Sequence, residues 1–432
     1  MCPPSAARAE PSRPDPHHAA VRTRRSGQTS GGSAPTSGLR SCRLPRPPRP
    51  PGTRSLLRAA ISCAWLSFAV IASAQSPGRS TDAAEPDESA SALVSSTLWV
   101  EQGGRLDWSV QGDRLAFDRQ GPDGRFDVWV LDVASGGERC LTCEAYDLRG
   151  SHNLDPVWHP SGEYLVISSQ QHAARLDTGA VELFGAERAL HADLWVLRAD
   201  GKAFWRITRL AEVGSAVLDP TFGFEGELLA WSERTGTRGG RSTPGSVGSF
   251  RPRTARLVFR RGVPRLLDAR SVEGWRAEGL LHLGSFTPDD RSLLAAADLR
   301  GAGSCCLDLV RIPLEGGETE RLTRSGAGGD RAPRTAPSGG QIAWISDGSV
   351  RGRAVAGEIP PSELWLMNTD GSEPRRLTHF NFALAEEYLG ATAVGDFSWS
   401  PRGDEIAVFV LTGHQEARAA ILRLQLSAAF RR

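Results

Sequence analysis

The stretch Trp158-His159-Pro160-Ser161-Gly162, followed after two residues by the apolar run Leu165-Val166-Ile167, decides the fold of this 432-residue chain. Trp399 to Gly403 and the run Ile406-Ala407-Val408 form a second clear copy. In each copy a Gly ends a short turn and a β-branched, apolar run follows, as in a hairpin. Four weaker copies with the same offset begin at Trp108, Phe222, Phe286 and Thr335. Successive copies begin about 50 or 64 residues apart, the length of one four-stranded propeller blade with its loops.

A second pattern completes each repeat. The run Asp193-Leu194-Trp195-Val196 leads through Asp200-Gly201 to Arg206-Ile207-Thr208, and the same order recurs from Glu363 to Thr378. Asp-Gly supplies the positive φ that a two-residue hairpin needs. No long segment with a 3.6-residue apolar period separates the two halves, which argues against α/β. The sequence therefore predicts an all-β fold, a six-bladed β-propeller of four-stranded blades.

The two ends of the repeat region are expected to meet. The sixth unit supplies only the run Ala420-Ile421-Leu422-Arg423-Leu424 after its second strand. The missing outer strand is predicted to come from Thr97-Leu98-Trp99-Val100 at the other end, so that the N-terminal strand closes the last blade. The aromatic residue that opens each unit is expected to pack between neighbouring blades. This assigns residues 95–432 to one propeller domain.

The repeats resemble those of the TolB-like propellers of bacterial envelope proteins. The resemblance rests on DPVWHPSGEYLVISS and DLWVLRADGKAFWRIT in the second unit, and on SELWLMNTDGSEPRRLTHFN and FSWSPRGDEIAVFV near the end. It covers about residues 95 to 426 and is specific for the fold rather than for a function. TolB carries a small α/β domain before its propeller, and no such domain is predicted here. The docking of TolB to an outer-membrane lipoprotein is therefore not carried over.

The segment before the propeller has the composition of an export signal. Residues 1–54 are rich in Pro, Arg, Ser and Gly and are predicted to be a disordered extension. Residues 55–74 read as a signal peptide that ends in Ala72-Ser73-Ala74, with an uncleaved membrane anchor as the alternative. Residues 75–94 are small and acidic and read as a linker. These features predict a periplasmic or secreted protein with no transmembrane span in the mature chain.

Removal of the signal segment changes the charge of the chain. The first 74 residues contain 11 Arg and two acidic residues, so the rest carries a formal net charge of −8 against +1 for the whole sequence. An acidic mature chain argues against binding to nucleic acid. The expected partner is an envelope protein, a peptide or a glycan, and the chain is expected to be a monomer.

The cysteines of the mature chain are candidates for disulfides. They number four: Cys140, Cys143, Cys305 and Cys306. Cys140-Leu141-Thr142-Cys143 is a CxxC sequence, which can be redox-active or half of a metal site. The alternative is a structural role as disulfides or free buried thiols. An even count in an oxidising compartment favours disulfides. Cys305 and Cys306 are adjacent and point to opposite faces of any strand, so each would need a different partner.

Polar residues in the loops that lead into the blades are the candidate ligand-binding site, at the mouth of the central channel. They comprise His152, Asp155, Asp219, Trp275, Arg276, Glu278, Glu386 and Glu387. Trp275 and Arg276 offer a stacking face and a bidentate donor, and the acids could hold a cation or a basic side chain. The alternative is that Asp155 and Asp219 only accept backbone hydrogen bonds. The Arg-rich segment 234–276 reads as a solvated loop, with contact to acidic groups as the alternative.

The sequence contains none of the common catalytic motifs. The leading interpretation is a non-catalytic binding propeller of the cell envelope, with no cofactor apart from a divalent cation that the channel could hold. The alternative is a metal-dependent lyase or hydrolase acting on acidic oligosaccharides, for which His152 with Asp155 is the hint. A third is a relative of the propeller of prolyl oligopeptidases, whose hydrolase domain is missing here.

Overall fold

Six four-stranded antiparallel sheets surround a central channel in the computed structural model. It describes residues 93–170, 190–236, 248–277, 279–299, 306–325, 328–348, 350, 355, 359–414 and 416–428. The sequence predictions for residues 1–54, 55–74 and most of 75–94 lie outside these ranges. The predicted all-β six-bladed propeller is confirmed. The described residues contain no helix long and apolar enough to cross a membrane.

Each of the first three blades is formed by four consecutive strands, written from the channel outward. Blade 1 contains β2 (Leu106–Trp108), β3 (Arg114–Gln120), β4 (Phe126–Asp132) and β5 (Glu138–Cys140). Blade 2 contains β6 (His152–Trp158), β7 (Tyr164–Gln170), β8 (Ala192–Arg198) and β9 (Phe204–Arg206). Blade 3 contains β10 (Val217–Phe222), β11 (Leu228–Gly236), β12 (Ser249–Arg260) and β13 (Val263–Ser271).

The remaining blades follow the same order until the last, which takes its outer strand from the start of the propeller. Blade 4 contains β14 (Leu281–Phe286), β15 (Ser292–Ala297), β16 (Asp308–Pro313) and β17 (Glu320–Arg321). Blade 5 contains β18 (Asp330–Thr335), β19 (Gln341–Ser346), β20 (Glu363–Asn368) and β21 (Arg375–Arg376). Blade 6 contains β22 (Thr392–Trp399), β23 (Glu405–Thr412), β24 (Arg418–Leu426) and β1 (Leu93–Glu101).

The ring is closed by β1, as the sequence predicts. β1 pairs antiparallel with β24 from Leu93 opposite Leu426 to Glu101 opposite Ala420. The Arg423 guanidinium lies over the ring of Trp99, 5.0 Å from its centroid. The strand begins at Leu93, two residues before the predicted start of the domain. Pairing of the two ends of the propeller removes the free edge that β24 would otherwise present.

The aromatic residue that opens each repeat packs between blades, as predicted. Trp158 of blade 2 lies in one apolar cluster with Ala116 and Val128 of blade 1. Trp399 of blade 6 packs likewise with Leu364 and Leu366 of blade 5. A single sheet cannot bury its faces by itself and needs a neighbouring sheet to cover them. Each aromatic fills the space between two such sheets.

The Pro and Gly of the repeat meet at the turns between the first and second strands, which define the turn face (109–113, 159–163, 223–227, 287–291, 336–340 and 400–404). Gly226 of blade 3, with φ of +84°, lies against Pro160 of blade 2; a Cβ at Gly226 would be 3.2 Å from the Pro160 ring. Gly339 of blade 5 meets Pro288 of blade 4 in the same way. The spacing of Pro and Gly therefore reflects contact between turns of adjacent blades.

Asp290 replaces the Gly in blade 4 and takes a different role. It keeps the positive φ of that position, +52°. Its carboxylate accepts hydrogen bonds from the N–H groups of Phe224 (2.8 Å) and Glu225 (3.1 Å) in blade 3. Blade 3 has Phe224 where blades 2, 4, 5 and 6 have Pro, so Asp290 connects the two turns by hydrogen bonds instead of by ring contact.

The innermost strands of blades 2 to 6 contain a break in register near the channel. In three of them it falls at a positive-φ residue followed by Pro, at Asp155, Asp219 and Ala332. Pro lacks the N–H that a regular ladder uses and occurs in strands mainly at bulges and edges. These bulges turn the side chain before Pro out of the regular strand alternation.

The Arg-rich segment of blade 3 is not the solvated loop that the sequence predicts. Residues 249–271 form β12 and β13, although 237–247 lie outside the described residues. In β12 the buried Phe250 alternates with exposed Arg251, and Arg253 contacts Glu233. The arginines obscure an alternating strand pattern because their side chains occupy its solvent face.

Candidate functional site

A cluster of ionisable side chains, here the channel cluster, lies where the six innermost strands converge. Every blade contributes to it. Its members are Arg105, Asp107, Asp118, Asp155, Asp219, His282, Arg334 and Asp396. The cluster contains five carboxyl groups and two guanidinium groups, so acidic groups are in excess.

Arg105, just before β2, joins three blades. Its Nε lies 3.4 Å from Asp155 of blade 2, and its Nη1 lies 3.6 Å from Asp219 of blade 3. Asp118 of blade 1 accepts the backbone N–H groups of Arg105 (2.9 Å) and Asp155 (3.1 Å). Asp219 also lies 2.7 Å from Nδ1 of His282 in blade 4. These contacts link blades 1 to 4 through a single arginine.

Arg334 links the other side of the channel. Its Nη2 lies 3.0 Å from Asp396 of blade 6, and its Nη1 lies 3.7 Å from Asp107 of blade 1. Asp107 also accepts the N–H of Trp158 at 2.8 Å, and Asp396 accepts the N–H of Leu106 at 3.2 Å. Each carboxylate thus binds a backbone group of the neighbouring blade as well as an arginine.

Burial raises the pKa of three carboxyl groups of the cluster, those of Asp107, Asp118 and Asp155. It raises the pKa of Asp118 to about 7 and that of Asp107 to about 6, against opposing hydrogen bonds and arginine charges. Burial, with the negative charges of Asp219 and Asp118, also holds the pKa of Asp155 well above its usual range. Burial alone would lower the pKa of Arg105, but the facing aspartates, led by Asp155 and Asp219, raise it. The arginines stay charged, and the cluster as a whole favours protons or other cations.

Two of the predicted site residues, Asp155 and Asp219, meet in this cluster. Their carboxylates face Arg105, and Asp219 also faces His282; a role of these two residues in ligand binding stays a prediction. His152 lies at the start of β6, where its ring packs on Phe126 at a centroid distance of 6.0 Å. Burial lowers the pKa of His152, and its nearby charged groups are Arg125, Asp123 and Asp127. The histidine beside a channel aspartate is His282.

The other predicted residues lie in the loops that lead from the outer strand of one blade to the inner strand of the next. These loops, 102–105, 141–151, 207–216, 272–280, 322–329 and 377–391, define the loop face. Trp275 donates its indole N–H to the carbonyl of Phe250 at 3.2 Å and is half-buried. Arg276 is exposed, and Glu278 lies outside the described residues. Glu386 is exposed, and Glu387 lies 3.2 Å from Nδ1 of His379.

The loop from 377 to 391 is firmly held at its base. Glu363 accepts the N–H groups of Phe380 (3.0 Å) and Asn381 (2.8 Å). The Asn381 side chain bridges to Thr392, accepting its N–H at 2.9 Å and donating to its carbonyl at 3.0 Å. Phe380 is fully buried. The remainder of the loop therefore projects from a fixed support.

Large apolar side chains are exposed on the loop face. Tyr146 is 89% exposed and Val213 is 77% exposed, in the loops before blades 2 and 3. Leu384 is fully exposed in the loop before blade 6, and Tyr388 and Leu389 are also exposed there. We call these five residues the apolar rim. Among the described residues, the turn face exposes two large apolar residues, Val110 and Phe224, against these five on the loop face. Exposed apolar side chains can form part of a surface that binds another molecule.

The channel cluster follows a pattern in the sequence that is visible only when the repeats are aligned. Three residues before the opening aromatic lie Arg105, Asp155, Asp219 and Asp396 in blades 1, 2, 3 and 6. Equivalent positions of a propeller repeat lie around the channel, so this one position predicts an arginine among three aspartates there. Arg334 and Asp107 occupy the position two residues later.

Two of the four disulfide candidates, Cys140 and Cys143, are bonded to each other, with their Cα atoms 5.8 Å apart; the sequence left the connectivity open. Cys305 lies outside the described residues, so the pairing of Cys305 and Cys306 stays a prediction. The metal alternative for the CxxC sequence has a geometric basis. Within the described part of the chain, ligand atoms of Asp127, Cys140 and Cys143 all lie within 4.8 Å of one another.

The chain is similar in fold to several solved propellers. A protein from Agrobacterium tumefaciens that is assigned as a TolB shares 18% identity, with a TM-score of 0.47, over 76% of this chain and 91% of that one. TolB from Acinetobacter baumannii shares 13% identity, with a TM-score of 0.46, over 73% of this chain and 64% of its own length. An oligogalacturonate lyase from Vibrio parahaemolyticus shares 11%, with a TM-score of 0.44, over 78% of this chain and 94% of that one. No family model and no curated protein matches the chain.

The sheet order, the closing strand and the repeats define the class of protein. The chain is a six-bladed β-propeller whose blades share one charge cluster at the channel. Its two faces differ: the turn face is built of short turns in contact, and the loop face carries the longer connections.

Proposed function

We propose that this protein is a non-catalytic binding propeller of the bacterial cell envelope, which holds a protein or peptide partner on its loop face. The apolar rim carries the proposal. Tyr146, Val213 and Leu384 come from three different interblade loops and expose apolar surface that the fold itself does not use. Loops on a rigid ring are the usual place for such a function.

The anchoring of the loop that bears Leu384 supports this function. Since Glu363 and Asn381 fix its base, the loop loses little conformational freedom when a partner binds. Exposed Arg276 and Glu386 add polar groups on the same face. An apolar patch with polar groups beside it is the usual composition of a protein interface.

The channel cluster favours a binding role over cleavage of acidic oligosaccharides. The carboxyl groups of the cluster are engaged by Arg105 and Arg334 within the fold, which supports a role in joining the blades rather than in cleaving a sugar. His152, which suggested an enzyme, packs on Phe126. The cluster instead stabilises the ring on which the loops stand, and it is compatible with a small cation or a basic side chain at the channel.

The envelope location rests on the signal-like segment at 55–74 and on the Cys140–Cys143 disulfide. Disulfides persist mainly in oxidising compartments such as the periplasm. N-terminal sequencing of protein from native envelopes is expected to begin near Gln75. Recovery of chains that still carry Leu56 to Ala74 would instead support a membrane anchor.

Site-specific photo-crosslinking tests the binding face. A photoreactive amino acid at Leu384 is expected to capture a defined partner in cells. The same group at Val110, which is exposed on the turn face, is the matched control. Once the partner is purified, Leu384→Asp is expected to weaken its affinity at least about tenfold, because a charge would enter an apolar contact.

The outcome against the proposal is equally definite. Equal crosslinking from both faces, or crosslinking from Val110 alone, would exclude the loop face as the binding surface. Unchanged affinity after both Leu384→Asp and Tyr146→Ser would exclude the apolar rim.

A further inference from the structure

An acidic residue at the start of the third strand is held by the Arg-apolar-Thr sequence in blades 2, 4 and 5, by both Arg and Thr in blade 2, by Arg in blade 4 and by Thr in blade 5. In blade 2, Thr208 Oγ1 accepts the N–H of Leu194 at 2.9 Å and donates to Asp193 at 2.9 Å. The guanidinium of Arg206 lies 2.7 Å from the same aspartate. The Arg-apolar-Thr sequence of the repeat thus supplies a positive charge and a hydroxyl to one buried acid.

Blades 4 and 5 each repeat one half of this arrangement. Arg321 lies 2.7 Å from Asp308 in blade 4. In blade 5, Thr378 donates to Glu363 at 2.6 Å. Burial lowers the pKa of Arg376, and the charge of Glu363 only partly opposes this. The arginines occupy equivalent register positions, since Arg206 pairs with Trp195 and Arg376 with Trp365.

Blade 1 keeps the acid and the threonine but replaces the arginine by cysteine. Thr142 accepts the N–H of Val128 at 2.9 Å and donates to Asp127 at 2.6 Å. Cys140 pairs with Trp129 in the register that the arginines occupy elsewhere. The arginine that pairs with the acid in blades 2 and 4 is therefore missing here, and two sulfur atoms, of Cys140 and Cys143, take its place.

The groups are arranged as a set of metal ligands. Asp127 Oδ1 is oriented by Thr142 and by the side chain of Asn153 at 3.3 Å. A carboxylate oxygen of Asp127 and both Sγ atoms lie within 4.8 Å of one another. Ligands at about 2.0–2.3 Å from a zinc ion are themselves roughly 3.5 Å apart in a tetrahedron, so opening the disulfide brings the set close to that spacing.

We infer that the reduced form of this CxxC sequence binds a zinc ion through Cys140, Cys143 and Asp127, with water as the fourth ligand. The ion replaces the positive charge that arginine supplies in blades 2 and 4. Two thiolates and one carboxylate are ligands that zinc accepts, and the neighbouring Thr142 and Asn153 hold the carboxylate in place. Cys143 is exposed, so a reductant and the ion can reach the site from solvent. This inference is independent of the proposed function.

The disulfide and the zinc site are alternative states linked by a two-electron step. A dithiol reductant breaks the Cys140–Cys143 bond, becomes a disulfide itself and leaves one proton on each cysteine sulfur. Zinc binding then displaces both protons as the thiols become thiolates. The site is therefore closed to metal in an oxidising medium and opens when a dithiol is present.

Zinc titration of the full chain tests the inference. The experiment uses a background in which Cys2, Cys42, Cys63, Cys305 and Cys306 are Ser, so that only one cysteine pair remains. After reduction and anaerobic removal of the reductant, one zinc ion per chain is expected in competition with a chromogenic chelator, and none before reduction. Cobalt substitution is expected to give the intense absorption of thiolate-to-cobalt charge transfer.

Three variants separate the ligands. Asp127→Asn is expected to weaken zinc binding at least about tenfold, whereas Asp123→Asn, an exposed acid at the same end of blade 1, leaves it unchanged. Cys140→Arg with Cys143→Ser restores the ion pair of blades 2 and 4 and is expected to stay folded without binding zinc. A reduced chain that takes up no zinc, or that unfolds and is not restored by zinc, overturns the inference. Equal affinity of Asp127→Asn and the parent overturns the role of the carboxylate.

Discussion

Single residues of the channel cluster determine how firmly the blades are joined, and Arg105 is the most connected of them. It faces aspartates from blades 2 and 3 and carries a backbone N–H bound by Asp118. Removal of its guanidinium would leave the carboxyl groups of Asp155 and Asp219 without this counter-charge.

Arg105→Met is therefore expected to reduce the free energy of unfolding by about 3–5 kcal/mol, the usual cost of breaking a buried ion pair from one side. The loss is expected to be smaller at pH 5 than at pH 8, since protonated carboxyl groups need no counter-charge. Urea denaturation measures it, with exposed Arg276→Met as the control that should change stability by less than about 0.5 kcal/mol. Equal effects of both variants would show that the cluster does not stabilise the ring.

Asp118 makes the free energy of unfolding depend on pH in a direction that its raised pKa determines. Its pKa rises from 3.8 in the unfolded chain to about 7 in the fold, so the folded state holds an extra proton between these values. Stability linked to this group is complete below about pH 4 and is lost as the pH rises through 7. Relative to Asp118→Asn, the wild-type chain is expected to lose at most about 4 kcal/mol over that range.

Denaturation at several pH values compares the two proteins directly. Asp132, whose pKa is lowered by hydrogen bonds from Ser135, provides a control of opposite sign. Relative to Asp132→Asn, the wild-type chain loses stability as the pH falls. A wild-type curve parallel to that of Asp118→Asn would contradict the pKa assigned to Asp118.

At the residue scale, the sequence predicted only part of the site. It selected Asp155 and Asp219, but not Arg105 and Arg334, because an arginine next to a short strand has no local pattern of its own. It paired His152 with Asp155, whereas His282, 63 residues after Asp219, makes that kind of contact. Side chains meet in the channel through the closure of the ring, which neighbours in sequence do not reveal.

At the scale of the element, the turn between the first two strands carries most of the repeat. The Gly of each turn is usually explained by its positive φ alone. Here the turns of neighbouring blades also touch, so a methyl group at Gly226 would meet the ring of Pro160. Two separate physical reasons thus require glycine at that position.

Alanine substitutions at two glycines separate the cost of backbone strain from the cost of crowding Pro160. Gly124→Ala tests backbone strain alone, since Gly124 has φ of +79° and an added Cβ would meet no atom within 4 Å; about 1–2 kcal/mol is expected. Gly226→Ala, at φ of +84°, is expected to cost a further 1–3 kcal/mol, roughly the penalty of overpacking. Thermal and urea denaturation of both variants measure the difference. Equal losses would mean that the Pro–Gly contact between blades contributes nothing.

The sequence predicted the elements well because each blade repeats the same local choices. Strands, hairpin turns and the interblade aromatic all follow from period and turn residues. The prediction failed for β12 and β13, where arginines on the solvent face hid the strand pattern. It also gave no reason for the Arg-apolar-Thr sequence, because the acid that these residues hold lies on a different strand.

At the scale of the whole molecule, stability depends on β1. The strand completes blade 6 and joins the first blade to the last. Deletion of residues 93–101 is expected to lower the melting temperature strongly and to broaden the transition, because β24 then has a free edge and the ring can open.

Calorimetry of the deleted chain, with and without a synthetic peptide of residues 93–101, measures this effect. The peptide is expected to restore part of the lost stability by adding the missing strand. A deletion variant that melts like the parent would show that closure by β1 does not matter for the ring.

The order of synthesis gives the closing strand one more consequence. β1 is among the first parts of the propeller to be made, and its partner β24 is the last. Five complete blades can exist before the chain ends, yet the circle stays open until residues 418–426 arrive. A chain that stops early, or loses β24 to a protease, has no partner for β1, and this strand then stays unpaired. Finished molecules therefore have a closed ring. Unfinished ones keep an unpaired β1, which is open to degradation.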